Sequence, residues 1–196
     1  MTTLYLVRHG EYDNPGYMYP GRSPGYPLSS RGREQVELLA PYFRDKHVGA
    51  IYSSPLLRTR ETAEILSSAL HLPVQFDDRL LEVLTHAEGA SMNLFDATNG
   101  ELSYTPKYLS RGAESMGELA ERMAGFIEEK RREYLGKEVL VVTHGDPMRF
   151  VTMKYLGLPI DFPTSRTVAI PLAGGYKFVF DDTKNSCEVS SITKSG

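Results

Sequence analysis

The chain has 196 residues, 41% of them hydrophobic and 24% charged, with a net charge of −3. That balance suits one globular domain, residues 1–196, with a substantial core, and the slight acidity excludes a global basic field for nucleic acid or an anionic membrane surface. No apolar run approaches the ~20 residues of a membrane span. Met1-Thr2-Thr3 leads straight into an apolar stretch without the features of a secretion signal, and the one cysteine, Cys187, excludes an intrachain disulfide. A cytoplasmic protein is expected, and any affinity for phosphate must come from a local cluster.

Leu4-Tyr5-Leu6-Val7 is apolar without alternation, the pattern of a strand covered on both faces, and it runs into Arg8-His9-Gly10-Glu11. Val139-Leu140-Val141-Val142 repeats the arrangement and runs into Thr143-His144-Gly145. Ligand crevices of open parallel sheets lie beyond the carboxyl ends of the strands. If these two strands are neighbours, His9 and His144 face each other there.

After His9, the residues Pro15, Gly16, Pro20, Gly21, Pro24, Gly25 and Pro27 make segment 12–27 a loop. Tyr12, Tyr17, Tyr19, Tyr26 and Arg22 stud it; the tyrosines either wall a substrate pocket or pin the loop to the surface. Ser29 is placed to cap a helix with Val36, Leu39, Ala40 and Phe43 inward, and Pro41 should kink or end it. Ala50 to Ser53 reads as a strand, and Ser54-Pro55 as the cap and first residue of a second helix that buries Ala63, Leu66, Ala69 and Leu70 and ends near His71. Arg58 then falls near the first turn, where backbone donors and a guanidinium fork make a phosphate clamp; the alternative is an ion pair with Glu61 or Glu64. His47 and His71 both follow helices and read as structural.

A strand from Pro73 to Phe76 leads to Glu82, whose carboxyl lies between Leu81 and Val83-Leu84, apolar surroundings that retain a proton. Segment 86–111 scatters Met92, Phe95, Leu102, Tyr104 and Tyr108 among polar residues, with breaks at Asn99-Gly100 and Pro106. It reads as short helices that either cap the pocket or extend the core. Ser115 to Glu118 forms a capping box before a helix with Met116, Leu119, Ala120, Met123 and Ile127 inward. Exposed pairs Glu118–Arg122 and Glu128–Arg132 are expected on it, with Lys130-Arg131-Arg132 as a solvated end. Asp146-Pro147 should cap and start another helix, finishing before Gly157. Strands are expected at 168–170, 176–180 and 188–190, with Gly174-Gly175 as the turn joining the first two. Such a tail offers an edge for pairing in a homodimer.

Arg8-His9-Gly10-Glu11, followed much later by His144-Gly145, resembles the histidine phosphatase superfamily, which includes the cofactor-dependent phosphoglycerate mutases. Pro27-Leu28-Ser29 with Gly32 and Gln35, the run Ser53 to Thr59, Leu81-Glu82 and Glu114-Ser115 come in the family's order. The resemblance implies an α/β fold: a three-layer sandwich with a mostly parallel central sheet flanked by helices, a short helical cap insertion at 86–111 and a strand-rich C-terminus. It implies that His9 is the nucleophile and becomes a phosphohistidine. Arg8, Arg58 and His144 would hold the phosphoryl group, and Glu82 would protonate the leaving oxygen and then activate water. Gly145 and Arg22 complete the candidate binding set. The family's asparagine six residues after the nucleophile is replaced here by Pro15, with Asn14 one residue earlier as the candidate contact. The block with glycine and tryptophan that often follows the acid is absent.

Two histidines, two arginines and a carboxyl, with no cysteine pair or acidic cluster, suit phosphoryl transfer with neither metal nor cofactor. Three functions compete. Hydrolysis of a phosphomonoester, on a small phosphorylated metabolite or a phosphoprotein, is the favoured one. A mutase would return the phosphoryl group to a product, but the basic pair carried by phosphoglycerate mutases is represented only by the separated Lys107 and Arg111. A non-catalytic module that binds phosphorylated ligands would not need all five core residues.

Overall fold

The computed structural model describes residues 1–98, 100–181 and 183–192; Asn99, expected as a break, lies outside them. Strands β1 (Thr2–Arg8), β2 (Val48–Ser53), β3 (Val74–Phe76), β4 (Glu138–Thr143), β5 (Gly175–Asp181) and β6 (Ser186–Ile192) form one sheet in the order β3-β2-β4-β1-β5-β6. The first four run parallel, and β5 and β6 join antiparallel. The helices are α1 (Ser30–Leu39), α2 (Pro41–Arg44), α3 (Leu57–Leu70), α4 (Met92–Ala97), α5 (Pro106–Leu109), α6 (Met116–Glu133), α7 (Gly145–Tyr155) and α8 (Phe162–Ser165).

Alternate residues of the central strands serve opposite layers. Tyr5, Val7, Ile51, Leu140 and Val142 pack with Leu39, Phe43 and Leu66 of the first three helices. Leu4, Leu6, Tyr52, Val139 and Val141 pack with Leu119, Met123 and Phe126 of α6 and with Phe150 of α7. Each such aliphatic or phenyl side chain, taken fully out of water, contributes about 1.5–3 kcal/mol. This is why β1 and β4 are apolar without alternation over residues 4–7 and 139–142, and it confirms the three-layer α/β reading.

The register pairs Leu6 with Val141 and Arg8 with Thr143, so the residues that follow, His9 and His144, emerge side by side. Two glycines seat the turn after His9 on α1. A Cβ on Gly32 would stand 1.9 Å from the Glu11 carbonyl oxygen, and one on Gly10 would stand 2.5 Å from the Gly32 carbonyl oxygen. Ser29 caps α1 by accepting from the Gly32 N–H, and Pro41 opens α2 after the first helix ends.

Several expected boundaries move. Helix α3 starts at Leu57, not Pro55, because Ser54 has other partners, described below. Residues 168–170 form no strand, and Gly174-Gly175 is no hairpin turn: a Cβ on Gly175 would lie 1.8 Å from the Leu6 carbonyl oxygen, so glycine is there to let β5 lie against β1. The hairpin joins β5 to β6 instead, with Asn185 in the left-handed region at φ 48°. Helix α7 begins at Gly145 with His144 as its cap. Glu118 turns back to the Ser115 N–H in the capping box, and Arg122 pairs with Glu114 rather than with Glu118. The pair Glu128–Arg132 forms at 3.6 Å. Lys130 is not a solvated end; it is buried, with its ammonium 4.6 Å from the centre of the Tyr52 ring.

Candidate active site

His9 is 2% exposed, and both ring nitrogens have defined neighbours. Nδ1 lies 2.8 Å from the Gly10 carbonyl, which can only accept, so Nδ1 carries the proton. Arg58 Nε donates to Nε2 at 3.3 Å, which requires a bare lone pair there. The two contacts specify one tautomer, with Nε2 as the free nucleophilic atom. Burial, then Arg58 and Arg8, holds the His9 pKa well below the ordinary imidazole value, and so keeps that lone pair available.

Arg58, also 2% exposed, reaches the site from the first turn of α3 and is fixed by Nη2 donating to the Gly21 carbonyl at 2.8 Å. Arg8 donates from Nη1 to the Ile170 carbonyl at 2.9 Å, in the irregular stretch 168–170. The first residue of α7, Gly145, packs on this guanidinium, and a Cβ there would stand at ordinary contact distance, 3.5 Å, from Arg8 Nε and Cζ. The His144 ring centroid is 5.3 Å from that of His9. Its Nε2 bonds to Ser54 Oγ at 2.8 Å, while Nδ1, like Arg8 Nε, is buried without a protein partner. Two unsatisfied polar atoms this close to the nucleophile would each cost stability unless an anion's oxygens accept from them.

Glu82 follows a single 3₁₀ turn, Asp78–Leu80, which Thr143 Oγ1 ties to the end of β4 through the Leu80 carbonyl at 2.8 Å. Burial and the nearby Asp146 charge push its pKa from 4.5 to about 7, against the pull of the Val83 N–H, Arg58 and Arg8. A carboxyl so placed is half protonated near neutral pH and serves as acid or base.

Most of these groups line a cavity of about 180 Å³; His144 is fully buried beside His9 and is not among the lining residues. The lining includes Arg8, His9, Arg58, Glu82 and Gly145, together with three groups that the sequence reading did not place among the site residues, Asp146, Arg149 and Met92. The i,i+3 spacing of Asp146 and Arg149 behind His144 was the available signal. Tyr12, Tyr19 and Phe95 also face it, so the loop has both functions weighed for it. Tyr17 pins it, donating to Asp96 at 2.8 Å, and Tyr26 stacks edge-on against Tyr12. Two expected binding residues are elsewhere. Asn14 uses both amide atoms on the Met18 backbone and lies outside the cavity. Arg22 is behind the wall, donating from Nε to the Glu82 carbonyl at 2.7 Å. No group of three or more His, Cys, Asp or Glu side chains among the described residues is disposed to hold a metal.

Known proteins resemble this chain in sequence and in fold. Phosphoserine phosphatase 1 of Hydrogenobacter thermophilus is 34% identical over 169 residues, covering 82% of this chain and 79% of that protein. The structure of Bacillus stearothermophilus YhfR superposes with a TM-score of 0.82 at 23% identity, over 97% of this chain and 96% of the other. A phosphoglycerate mutase from Bacillus anthracis gives 0.78 at 23% identity, covering 97% and 92%; at this identity the two structures speak for the fold alone. The sequence profile of the histidine phosphatase superfamily (branch 1) matches residues 4–193, and the chain belongs to that family.

Proposed function

We propose that the protein is a metal-independent phosphomonoester hydrolase in which His9 Nε2 attacks phosphorus in line. The P–N bond forms as the ester P–O bond breaks, and Glu82 gives its proton to the departing oxygen. Arg8, Arg58 and His144 stabilise the charge on the equatorial oxygens as fixed donors. The Glu82 carboxylate then takes a proton from water, which attacks the phosphohistidine and releases inorganic phosphate and free His9. The observation that carries this reading is the tautomer of His9, held by Gly10 on one side and Arg58 on the other.

The cavity of about 180 Å³ is smaller than the roughly 300–1,000 Å³ of sites for drug-sized ligands. That favours a small phosphorylated metabolite over a phosphoprotein; phosphoserine, named for one relative, is among the candidates. Segment 86–111, as a cap, would select the substrate through Met92 and Phe95, which reach the cavity. Hydrolysis is favoured over mutase chemistry because Lys107 and Arg111 are both exposed and line no part of the cavity. The test is to mix protein with a ³²P-labelled ester and quench within the turnover time. The label should be stable to alkali, labile to acid, and absent from His9→Ala. Label on a hydroxyl, or full activity in His9→Ala, overturns the mechanism.

A further inference from the structure

The leaving-group end of the cavity carries charges that the mechanism above does not use. Asp146 lies in the first turn of α7, and its carboxylate is fully engaged: Oδ1 accepts from Arg149 Nη1 at 2.6 Å, and Oδ2 accepts from the Tyr104 hydroxyl at 2.7 Å. Tyr104 is itself buried and belongs to segment 86–111. Asp146 and Arg149 both line the cavity with Glu82, and the charge of Asp146 is felt by Glu82. The pair therefore stands beside the proton donor, where the departing alcohol must lie.

The charge count decides what that alcohol can be. Arg8 and Arg58 together balance a dianionic phosphate. Protonated Glu82 is neutral, and Asp146 cancels Arg149. Nothing remains to neutralise a net negative charge on the leaving group, because the charge of Arg149 is already cancelled at 2.6 Å by an Asp146 carboxylate that Tyr104 holds from its other oxygen. Like charges brought together in a partly desolvated site are strongly disfavoured, and a polar group introduced against a satisfied network leaves one partner unpaired. A polyol or other alcohol without net charge meets no such conflict.

We infer that Asp146 is a specificity-determining residue: by holding Arg149 in an ion pair it restricts the site to monophosphates whose leaving group carries no net charge. This rests on the phosphatase reading for the placement of the leaving group but not on the identity of the nucleophile. It also makes Arg149 a latent anion site, suppressed by its neighbour three residues away.

The test uses non-hydrolysable phosphonate analogues of glycerol 3-phosphate, whose leaving group is uncharged, and of 3-phosphoglycerate, whose leaving group bears a carboxylate. Both are titrated calorimetrically into wild type, Asp146→Asn and the double variant Asp146→Asn/Arg149→Gln. Wild type should prefer the uncharged analogue by about tenfold or more. Asp146→Asn, close to isosteric, should narrow that preference by about tenfold, through tighter binding of the carboxylate analogue. The double variant should lose the gain, because the freed guanidinium is its source. Equal preference in wild type and Asp146→Asn, no measurable binding of either analogue, or a gain retained in the double variant overturns the inference. Binding is read without turnover, so the phosphohistidine can fail its own labelling test while this result stands, and the reverse.

Discussion

Arg122 grips the Glu114 carboxylate with a two-point fork, Nε to Oε1 at 2.7 Å and Nη2 to Oε2 at 2.9 Å. The same guanidinium donates to the carbonyls of Arg79, Leu81 and Glu82, and Glu114 in turn accepts from the Leu84 N–H at 3.1 Å. Arg22 also donates to the Glu82 carbonyl, at 2.7 Å. The turn that presents Glu82 is thus held at three carbonyls and one N–H by two arginines and one carboxylate.

If that network positions the acid, loosening it should reproduce the signature of losing the acid in weaker form. Glu82→Gln should slow phosphorylation of His9 by an alkyl phosphate by about 10²–10⁴-fold and by a nitrophenyl phosphate far less, measured in single turnover or as kcat/KM. Arg122→Lys keeps the charge but loses the fork, and should show the same bias toward aryl esters on a smaller scale. Equal slowing of both esters by Arg122→Lys would mean that the network only supports the fold; equal slowing by Glu82→Gln would assign the proton to another group.

Arg58→Lys should be nearly as damaging as Arg58→Ala, each costing about 10²–10³-fold in kcat, the scale of losing one donor to developing charge. An ammonium retains charge but cannot donate at once to His9 Nε2, to the Gly21 carbonyl and to a phosphate oxygen. A lysine variant close to wild type would show that Arg58 supplies only field.

The pH profile follows from Glu82, whose pKa rises from 4.5 to about 7. For alkyl esters kcat/KM should fall as pH rises through about 7, because the donor loses its proton, while neutral His9 keeps the acidic limb below the ordinary imidazole range. Asp146→Asn removes a charge that raises the Glu82 pKa and should move the basic limb to lower pH. Stability obeys the same sign. A carboxyl whose folded pKa is raised stabilises the fold below its unfolded pKa, and that contribution is lost as pH rises through about 7. Glu82→Gln should therefore gain in Tm over wild type at pH 8 relative to pH 4; a constant difference would contradict the shift.

Chelators should leave activity intact, given the absence of a metal-disposed cluster among the described residues. Loss of activity on chelation that a divalent ion restores would reverse this expectation.

The parts of this protein legible in its sequence are those fixed by short stretches of chain. Strands that end in histidine, the Ser29 cap, the Ser115 capping box and the place of Arg58 in a first turn all rest on residues within a few positions of one another. Asp146, Arg149 and the hold on Glu82 were hidden because their meaning depends on partners far away in sequence, Tyr104 and Glu114 among them. Residues 168–170 misled for a related reason: Val168 and Ile170 are apolar because they are buried, not because they pair in the sheet, and the Ile170 carbonyl bonds to the distant Arg8. Asn14 and Arg22 misled because polar side chains in a loop show nothing in sequence of whether they face a ligand or their own backbone.

The parallel pairing of β1 with β4 also dictates when this protein can begin to work. His9 and Arg8 leave the ribosome early, yet the strand that brings His144 beside them is synthesised only after most of the chain, and closing so long a loop is the slow step of such topologies. Helices form locally and fast, so a refolding sample should recover its helical signal before any turnover. A chain released before residue 138 would carry the nucleophile with neither the neighbouring strand nor the second histidine. Such a truncated product is expected to be inert toward phosphate esters.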